Sequence, residues 1–248
     1  MTIKKKPDRF YDTPIGRLPS VTTILGQVDK SYALIPWAIG CMRKYSGQKF
    51  YQAVEQKTPL SFELVDIILD ESASNYRKVQ QEALDFGSEM HNLIEVYLKG
   101  KEVGGLLEAL PTLVKPFESF KSWEKSHNVK IELSEHIVYS IEGYAGTTDF
   151  IGTVDGKRTL ADWKSSKAIY PEYYKQVSAY AKAHLEMTSA EIDQVGILRL
   201  PKLESEEWDA EKNWVTITMQ EVEEYFESFK HLLRYFQNEQ SLKEKNNE

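Results

Sequence analysis

The sequence predicts an α/β protein with a helical N-terminal half, and three observations carry that reading. Apolar residues recur at helical spacing as far as residue 127. From 129 the period shortens and Val, Ile, Thr and Tyr become frequent, as in strands. Beyond 166 the two patterns alternate, giving the order helices, three strands, helix, two strands, helix.

Each element has its own local signal. Pro19-Ser20-Val21-Thr22-Thr23-Ile24-Leu25 reads as a helix start with Ser20 as the capping residue. Leu34, Trp37, Ala38, Cys41 and Tyr45 form one stripe of a helix from about 31 to 56. A second helical pattern runs from about 61 to 99. Phe62, Val65, Ile68 and Leu69 begin it, Leu84, Met90, His91, Ile94, Glu95 and Leu98 continue it, and Gly100 closes it. Val114, Phe117, Phe120, Lys121 and Trp123 mark a further helix ending near His127. Strands fill 129–166, and Pro171 opens a helix to about 187. Val195–Leu200 and Trp214–Ile217 read as strands. The closing helix, about 219 to 240, carries Val222, Tyr225, Phe226, Phe229, Leu232, Leu233 and Phe236. The expected organisation is one domain over 1–248: a helical half at 19–127, an α/β core at 128–240 and a frayed, solvated end at 241–248.

Composition excludes several classes. With 248 residues, 41% hydrophobic and 28% charged, the chain is neither disordered nor fibrous and can bury a sizeable core. No apolar run approaches the about 20 residues of a membrane span. The opening MTIKKKPDRF lacks a signal peptide's apolar region, so a cytoplasmic protein without a membrane partner is expected. The single cysteine, Cys41, excludes an intramolecular disulfide and any four-cysteine zinc or iron–sulfur site. Net charge is −7, which by itself argues against nucleic acid. The charge is uneven, however: residues 1–58 carry +6, 59–200 carry −7 and 201–248 carry −6.

The most informative stretch runs from Gly143 to Lys164. Asp155-Gly156 is a strong two-residue hairpin signal, because a type I′ turn needs positive φ at both positions. With that turn, Ile151 faces Leu160, Asp149 faces Asp162 and Thr147 faces Lys164; a three-residue loop would shift the register by one. Phe150, Val154, Ala161 and Trp163 on the other face mean that both sides of the ribbon are buried. Two facing carboxylates in such a place repel one another and call for a cation. Lys164 supplies one charge, and a hard divalent metal with oxygen ligands would supply the rest.

Further residues could join them. His91 and Glu95 share a helix face, with Gly87 one turn earlier. Gln176 and Tyr180 form a second such pair on the helix after the hairpin. Glu135 opens the strand before the hairpin and could reach the same strand ends. Ser165, Ser166 and Lys167 offer hydroxyls and an ammonium suited to phosphate oxygens. Arg43, Lys44, Lys49, Arg77 and Lys78, with Tyr32, Trp37 and Tyr76, give the helical half a basic and aromatic character.

Asp149 followed by Asp162-x-Lys164 resembles the active-site motif of the PD-(D/E)xK nuclease superfamily. His91 ahead of it and Gln176-x-x-x-Tyr180 behind it resemble the RecB-like branch. Pro19-Ser20-Val21-Thr22, Gly87-x-x-x-His91-x-x-x-Glu95 and Asp162-Trp163-Lys164-Ser165-Ser166 are similar to the mitochondrial genome maintenance exonuclease type and its bacteriophage relatives. The likeness spans roughly residues 19 to 236. Thr148 stands where the superfamily's proline would be, and the lone cysteine sets the chain apart from iron–sulfur members. The seven residues before Asp8 are too short for a mitochondrial presequence, which points to a phage or bacterial setting.

The resemblance implies a restriction-endonuclease-like core, a mixed central sheet flanked by helices. It implies a Mg2+- or Mn2+-dependent deoxyribonuclease acting as an exonuclease on single-stranded DNA ends, in replication, recombination or repair and alongside proteins of those pathways. Asp149, Asp162 and the backbone carbonyl of Trp163 would hold metal and Lys164 would stabilise the transition state. His91 and Glu135 would lie in the metal or phosphate shell. Gln176, Tyr180, Ser165, Ser166, Lys167 and Glu95 would contact DNA. A structure-selective or duplex-processing endonuclease of the same superfamily, and a catalytically silent DNA-binding recombination protein, are the alternatives.

Overall fold

The computed structural model describes residues 9–202 and 206–246. The basic stretch before Arg9 therefore lies outside the described residues. The chain opens with a two-stranded antiparallel ribbon that the sequence reading did not foresee, β1 (Phe10–Thr13) and β2 (Gly16–Pro19). Helix α1 (Val21–Leu25) follows as expected, with Ser20 Oγ accepting the Thr23 N–H as its cap.

Helices α2 (Ser31–Glu55) and α3 (Phe62–Leu98) match the two long helical patterns. Residues 29–88 form a compact unit of their own; residues up to Val28 and from Glu89 onward form the other. Within the 29–88 unit, Trp37 meets Tyr76 edge-on at 6.4 Å, Arg77 lies over Tyr76 and Lys49 lies over Tyr45. The Tyr45 hydroxyl donates to Glu71. Many apolar side chains of this unit remain exposed, Phe62, Tyr32 and Tyr51 among them.

The second unit holds the C-terminal end of α3, a short α4 (Gly104–Ala109), α5 (Val114–Ser126) and the central sheet. Its strands are β3 (Val129–Ser140), β4 (Tyr144–Val154), β5 (Lys157–Lys164), β6 (Gln194–Arg199) and β7 (Trp214–Thr218), in that spatial order. Only β5 and β6 run parallel, because α6 (Pro171–Thr188) carries the chain across between them. A one-turn helix α7 (Ala210–Asn213) precedes β7, and α8 (Met219–Asn246) closes the chain. The stretch read as frayed after 240 continues the helix to Asn246. This is an α/β protein with a mixed five-stranded sheet flanked by helices and a helical N-terminal half, consistent with a restriction-endonuclease-like core. No described helix is long and apolar enough to cross a membrane.

Two apolar layers hold β5 in place. On one side, Phe120 and Trp123 of α5 pack with Phe150, Trp163 and Trp214, ring centroids 5.0–5.8 Å apart. On the other, Ile151, Leu160, Ile197 and Ile217 meet Val177, Ala179 and Ala183 of α6, backed by Val222, Phe226, Phe229, Leu233 and Phe236 of α8. The hairpin forms as its turn residues predict: Asp155 has φ 51° and Gly156 φ 82°, and Ile151 lies opposite Leu160.

A side chain at Gly156 would meet nothing within 4 Å, so its cost is purely that of the left-handed backbone. Gly156→Val should destabilise the protein by about 1–2 kcal/mol, read as a lower denaturation midpoint with an unchanged urea m-value.

Candidate active site

The site is built where two neighbouring strands separate. β4 and β5 pair as far as Phe150 and Ala161 and no further. β4 then stays with β3 through His136–Thr148 and beyond, while β5 stays with β6 through Trp163–Leu198 and Lys164–Arg199. The directly opposed Asp149–Asp162 and Thr147–Lys164 pairs expected from the turn are therefore not ladder pairs. Side chains take over from backbone there. Asp149 Oδ2 accepts the Trp163 N–H at 2.6 Å, and the Thr148 hydroxyl donates to the Ala161 carbonyl at 3.2 Å. A buried strand end would otherwise leave both peptide groups without partners. The Thr148 hydroxyl thus has a local task that a proline at this position could not perform.

Asp149 is buried, and its other oxygen meets His91 Nδ1 at 3.0 Å. Glu135 is the third member. It lies within β3 rather than opening it, between His136, opposite Thr148, and Ser134, opposite Phe150. Its φ of 48° is the left-handed conformation, costly for a residue with a Cβ, and it occurs directly beside Asp149. One ligand atom each from His91, Glu135 and Asp149 lies within 4.8 Å of the others. This buried His/Glu/Asp group can hold a metal ion.

Asp162 sits in a different network, 2% exposed. Its Oδ2 faces the Lys164 ammonium as an ion pair. Gln176 Nε2 donates to Asp162 Oδ1 at 3.2 Å and to the Tyr180 hydroxyl at 2.9 Å, while Gln176 Oε1 accepts from Lys164 Nζ at 3.0 Å. The Tyr173 ring lies under Lys164 at 4.8 Å. A Cβ at Gly146 would come within 2.2 Å of Tyr180 Cε1, so glycine lets α6 approach β4 closely enough to complete this chain.

Burial and neighbouring charge push the five acidic and basic groups apart. Burial resists ionisation of Asp149, yet the His91 imidazolium and the Trp163 N–H outweigh it and hold the carboxyl below its ordinary value. Burial likewise opposes charge on His91, and Asp149 overcomes it, raising His91 to about 9. Burial, then the Asp149 charge, lifts Glu135 to about 7. Asp162 is raised to about 6, chiefly by burial, with Lys164 opposing. Lys164 itself is held above its usual range, the carboxylates prevailing over burial.

The other expected residues stand further out. Glu95, one turn from His91, pairs with Lys99. The Ser166 hydroxyl donates to the Ala168 carbonyl, and Lys167 is exposed. Thr148 and Tyr173 were missed in the sequence. Tyr173, Gln176 and Tyr180 fall three and four apart on one helix, a spacing that could have revealed Tyr173, whereas nothing local marks Thr148.

No family model matches the chain, and no curated protein does. Among solved structures, an alkaline exonuclease (LHK-Exo) from Laribacter hongkongensis is similar over 68% of this chain and 86% of its own, at 13% identity and a TM-score of 0.28. A likeness that faint leaves the site's chemistry to its own residues.

Metal must displace the protons on His91 and Glu135, since only the deprotonated groups coordinate. With those groups at about 9 and about 7, affinity for Mn2+ should rise with pH between 6 and 8. Calorimetry in buffers of differing ionisation enthalpy should show protons released on binding at pH 7, and fewer from Glu135→Gln. Binding indifferent to pH would show that the cation sits elsewhere.

Proposed function

We propose that this chain is a metal-dependent deoxyribonuclease that hydrolyses phosphodiester bonds at single-stranded DNA ends. The observation that carries the reading is the strand parting, which gathers the His91/Glu135/Asp149 donor group at one buried place and holds Lys164 on Asp162 beside it. Carboxylates and an imidazole suit a divalent cation. The imidazole favours Mn2+ over Mg2+ in affinity, while Mg2+ remains the abundant alternative. When bound, the cation acidifies water and screens the phosphate oxygens.

The chain's own residues do the rest. Asp149, already ionised and fixed from both sides, would be a ligand at any working pH. Glu135 and His91 would become ligands on losing their protons. Asp162 would join through its carboxylate, and the Trp163 carbonyl would be its backbone companion. It points to the same side of β5 as the Trp163 N–H that Asp149 binds, because both groups of a residue share one side of an extended strand. Lys164 has three donors and spends two, on Asp162 and Gln176. The third remains for a phosphate oxygen or the attacking water, where a fixed positive charge stabilises the transition state. Gln176 and Tyr180 brace that ammonium. Ser165, Ser166, Lys167 and Glu95 line the approach for DNA.

The preference for single-stranded ends rests on the family resemblance and on the basic and aromatic residues of the 29–88 unit, Tyr32, Trp37 and Arg43 among them. The same resemblance supports work in replication, recombination or repair inside a bacterial or phage-infected cell.

Lys164→Ala should lower release of nucleotides from end-labelled single-stranded DNA by about 100- to 1000-fold, and covalently closed single-stranded circles should resist the wild type. Wild-type rates in the variant would refute the catalytic assignment, and rapid cutting of circles would refute the requirement for an end.

Removing Lys164 also leaves Asp162 buried without its cation, a loss of about 3 kcal/mol or more. That penalty should shrink as pH falls towards about 6, because Asp162, already raised to about 6 with Lys164 opposing, takes up its proton at higher pH once the ammonium is gone. Denaturation of Lys164→Ala across pH 5–8 measures it.

A further inference from the structure

The N-terminal ribbon is the part of the second unit that the catalytic reading does not use. Beyond Phe150, the edge of β4 that β5 abandons is taken up by this segment. Ser20 bridges to Ala145, and the Tyr11 hydroxyl meets Thr147 Oγ1 at 3.0 Å, two residues from Asp149. The Ser20–Thr23 hydroxyls hold the ribbon there. The Ser20 N–H donates to the Arg9 carbonyl at 2.8 Å, Thr23 Oγ1 donates to that same carbonyl, and the Arg9 N–H donates to Thr23 Oγ1 at 3.0 Å.

Two arginines stand on the ribbon so fixed, on opposite faces of it. The Arg9 guanidinium lies over the Tyr11 ring at 5.1 Å, on the face whose Tyr11 hydroxyl meets Thr147, and Arg17 lies over Phe10 at 5.0 Å on the other face, where Asp12 is its partner in register. Both are exposed, and neither guanidinium meets a carboxylate among the described residues. The other described arginines and lysines of this unit include several paired ones: Arg158 with Glu132, Arg199 with Glu206, Lys121 with Glu124, Lys182 with Glu223. In a chain of net charge −7, the unpaired Arg9 guanidinium, on the face turned to the candidate site, suits an anionic partner. A guanidinium backed by an aromatic face keeps its planar donor edge free for phosphate oxygens.

We infer that Arg9, stacked on Tyr11, grips the phosphate backbone of the DNA strand beside the parting of β4 and β5. The inference rests on the nuclease reading and adds to it the wall along which the strand is held. Arg9 is a positioning residue, Tyr11 ties it to the site, and Arg17 on the other face takes no part.

The test is anisotropy of a fluorescein-labelled oligothymidylate with the full chain, in EDTA so that nothing is cut, across a salt titration. Each phosphate contact to a single strand contributes about 0.7 to the log–log salt slope. Arg9→Ala should therefore bind more weakly, with a slope shallower by about 0.7. Its cleavage defect should appear as a raised KM. Arg9→Lys should recover the slope in part. Arg17→Ala, which removes equal charge from the other face of the same ribbon, should leave it unchanged. If the wild type cleaves DNA while Arg9→Ala and Arg17→Ala behave alike, the inference fails and the nuclease reading stands. If the wild type neither binds nor cuts DNA, both fail.

Discussion

Two carboxylates buried where a sheet divides are the constraint on which the rest of this structure depends. Asp149 is 6% exposed and Asp162 2%, and neither could remain in such a place without partners supplied on purpose. The partners come from opposite directions. Helix α3 brings His91 to Asp149, and helix α6 brings Gln176 to Asp162, while Lys164 comes from the same strand. Each helix must therefore dock at a fixed height along the sheet. The aromatic layer under Trp163 and the small side chains of α6 make that docking close.

The parting of β4 from β5 follows from the same requirement. Were the ladder to continue, the Trp163 N–H would pair with backbone and Asp149 would lose one of the bonds that keep it ionised. Opening the sheet beyond Phe150 and Ala161 exchanges a backbone bond for a charge-assisted one. It also frees an edge of β4, which the N-terminal ribbon covers. Glu135, with its left-handed φ within β3, lies on the other flank of Asp149. Strain in one strand and separation in the next thus meet at one residue.

Much of this was legible in the sequence. The change of period near 128, the Asp155-Gly156 turn and the i, i+4 pairs gave the element order, the hairpin register and six of the interacting side chains, His91, Asp149, Asp162, Lys164, Gln176 and Tyr180. What was not legible has a physical cause in each case. Turn chemistry sets the register only while the strands stay paired, so it could not reveal that pairing stops at Phe150. The β1–β2 ribbon is eight strand residues of mixed polarity, held by hydroxyls of the next segment rather than by an apolar stripe. Glu135 is placed by its backbone conformation, which no pattern of residue types records. The closing helix outruns its apolar stripe, because its last turns are solvated and carried by propensity alone.

The two aspartates are not equivalent, and the difference assigns their parts. Asp149 accepts from a backbone amide and an imidazolium, both fixed, and stays charged at every physiological pH. Asp162 relies on a flexible lysine and a neutral amide, and burial leaves it close to titration. Without metal, the protons on His91 and Glu135 and the charge of Lys164 keep the cluster near neutrality. A divalent cation in place of those two protons would restore the same balance. His91, Glu135 and Asp149 would hold it, with Asp162 joining them while still paired to Lys164. The ammonium would thereby be held where negative charge would develop on a phosphate. The buried acids and their uneven environments are thus two halves of one device, since each alone would be a destabilising defect.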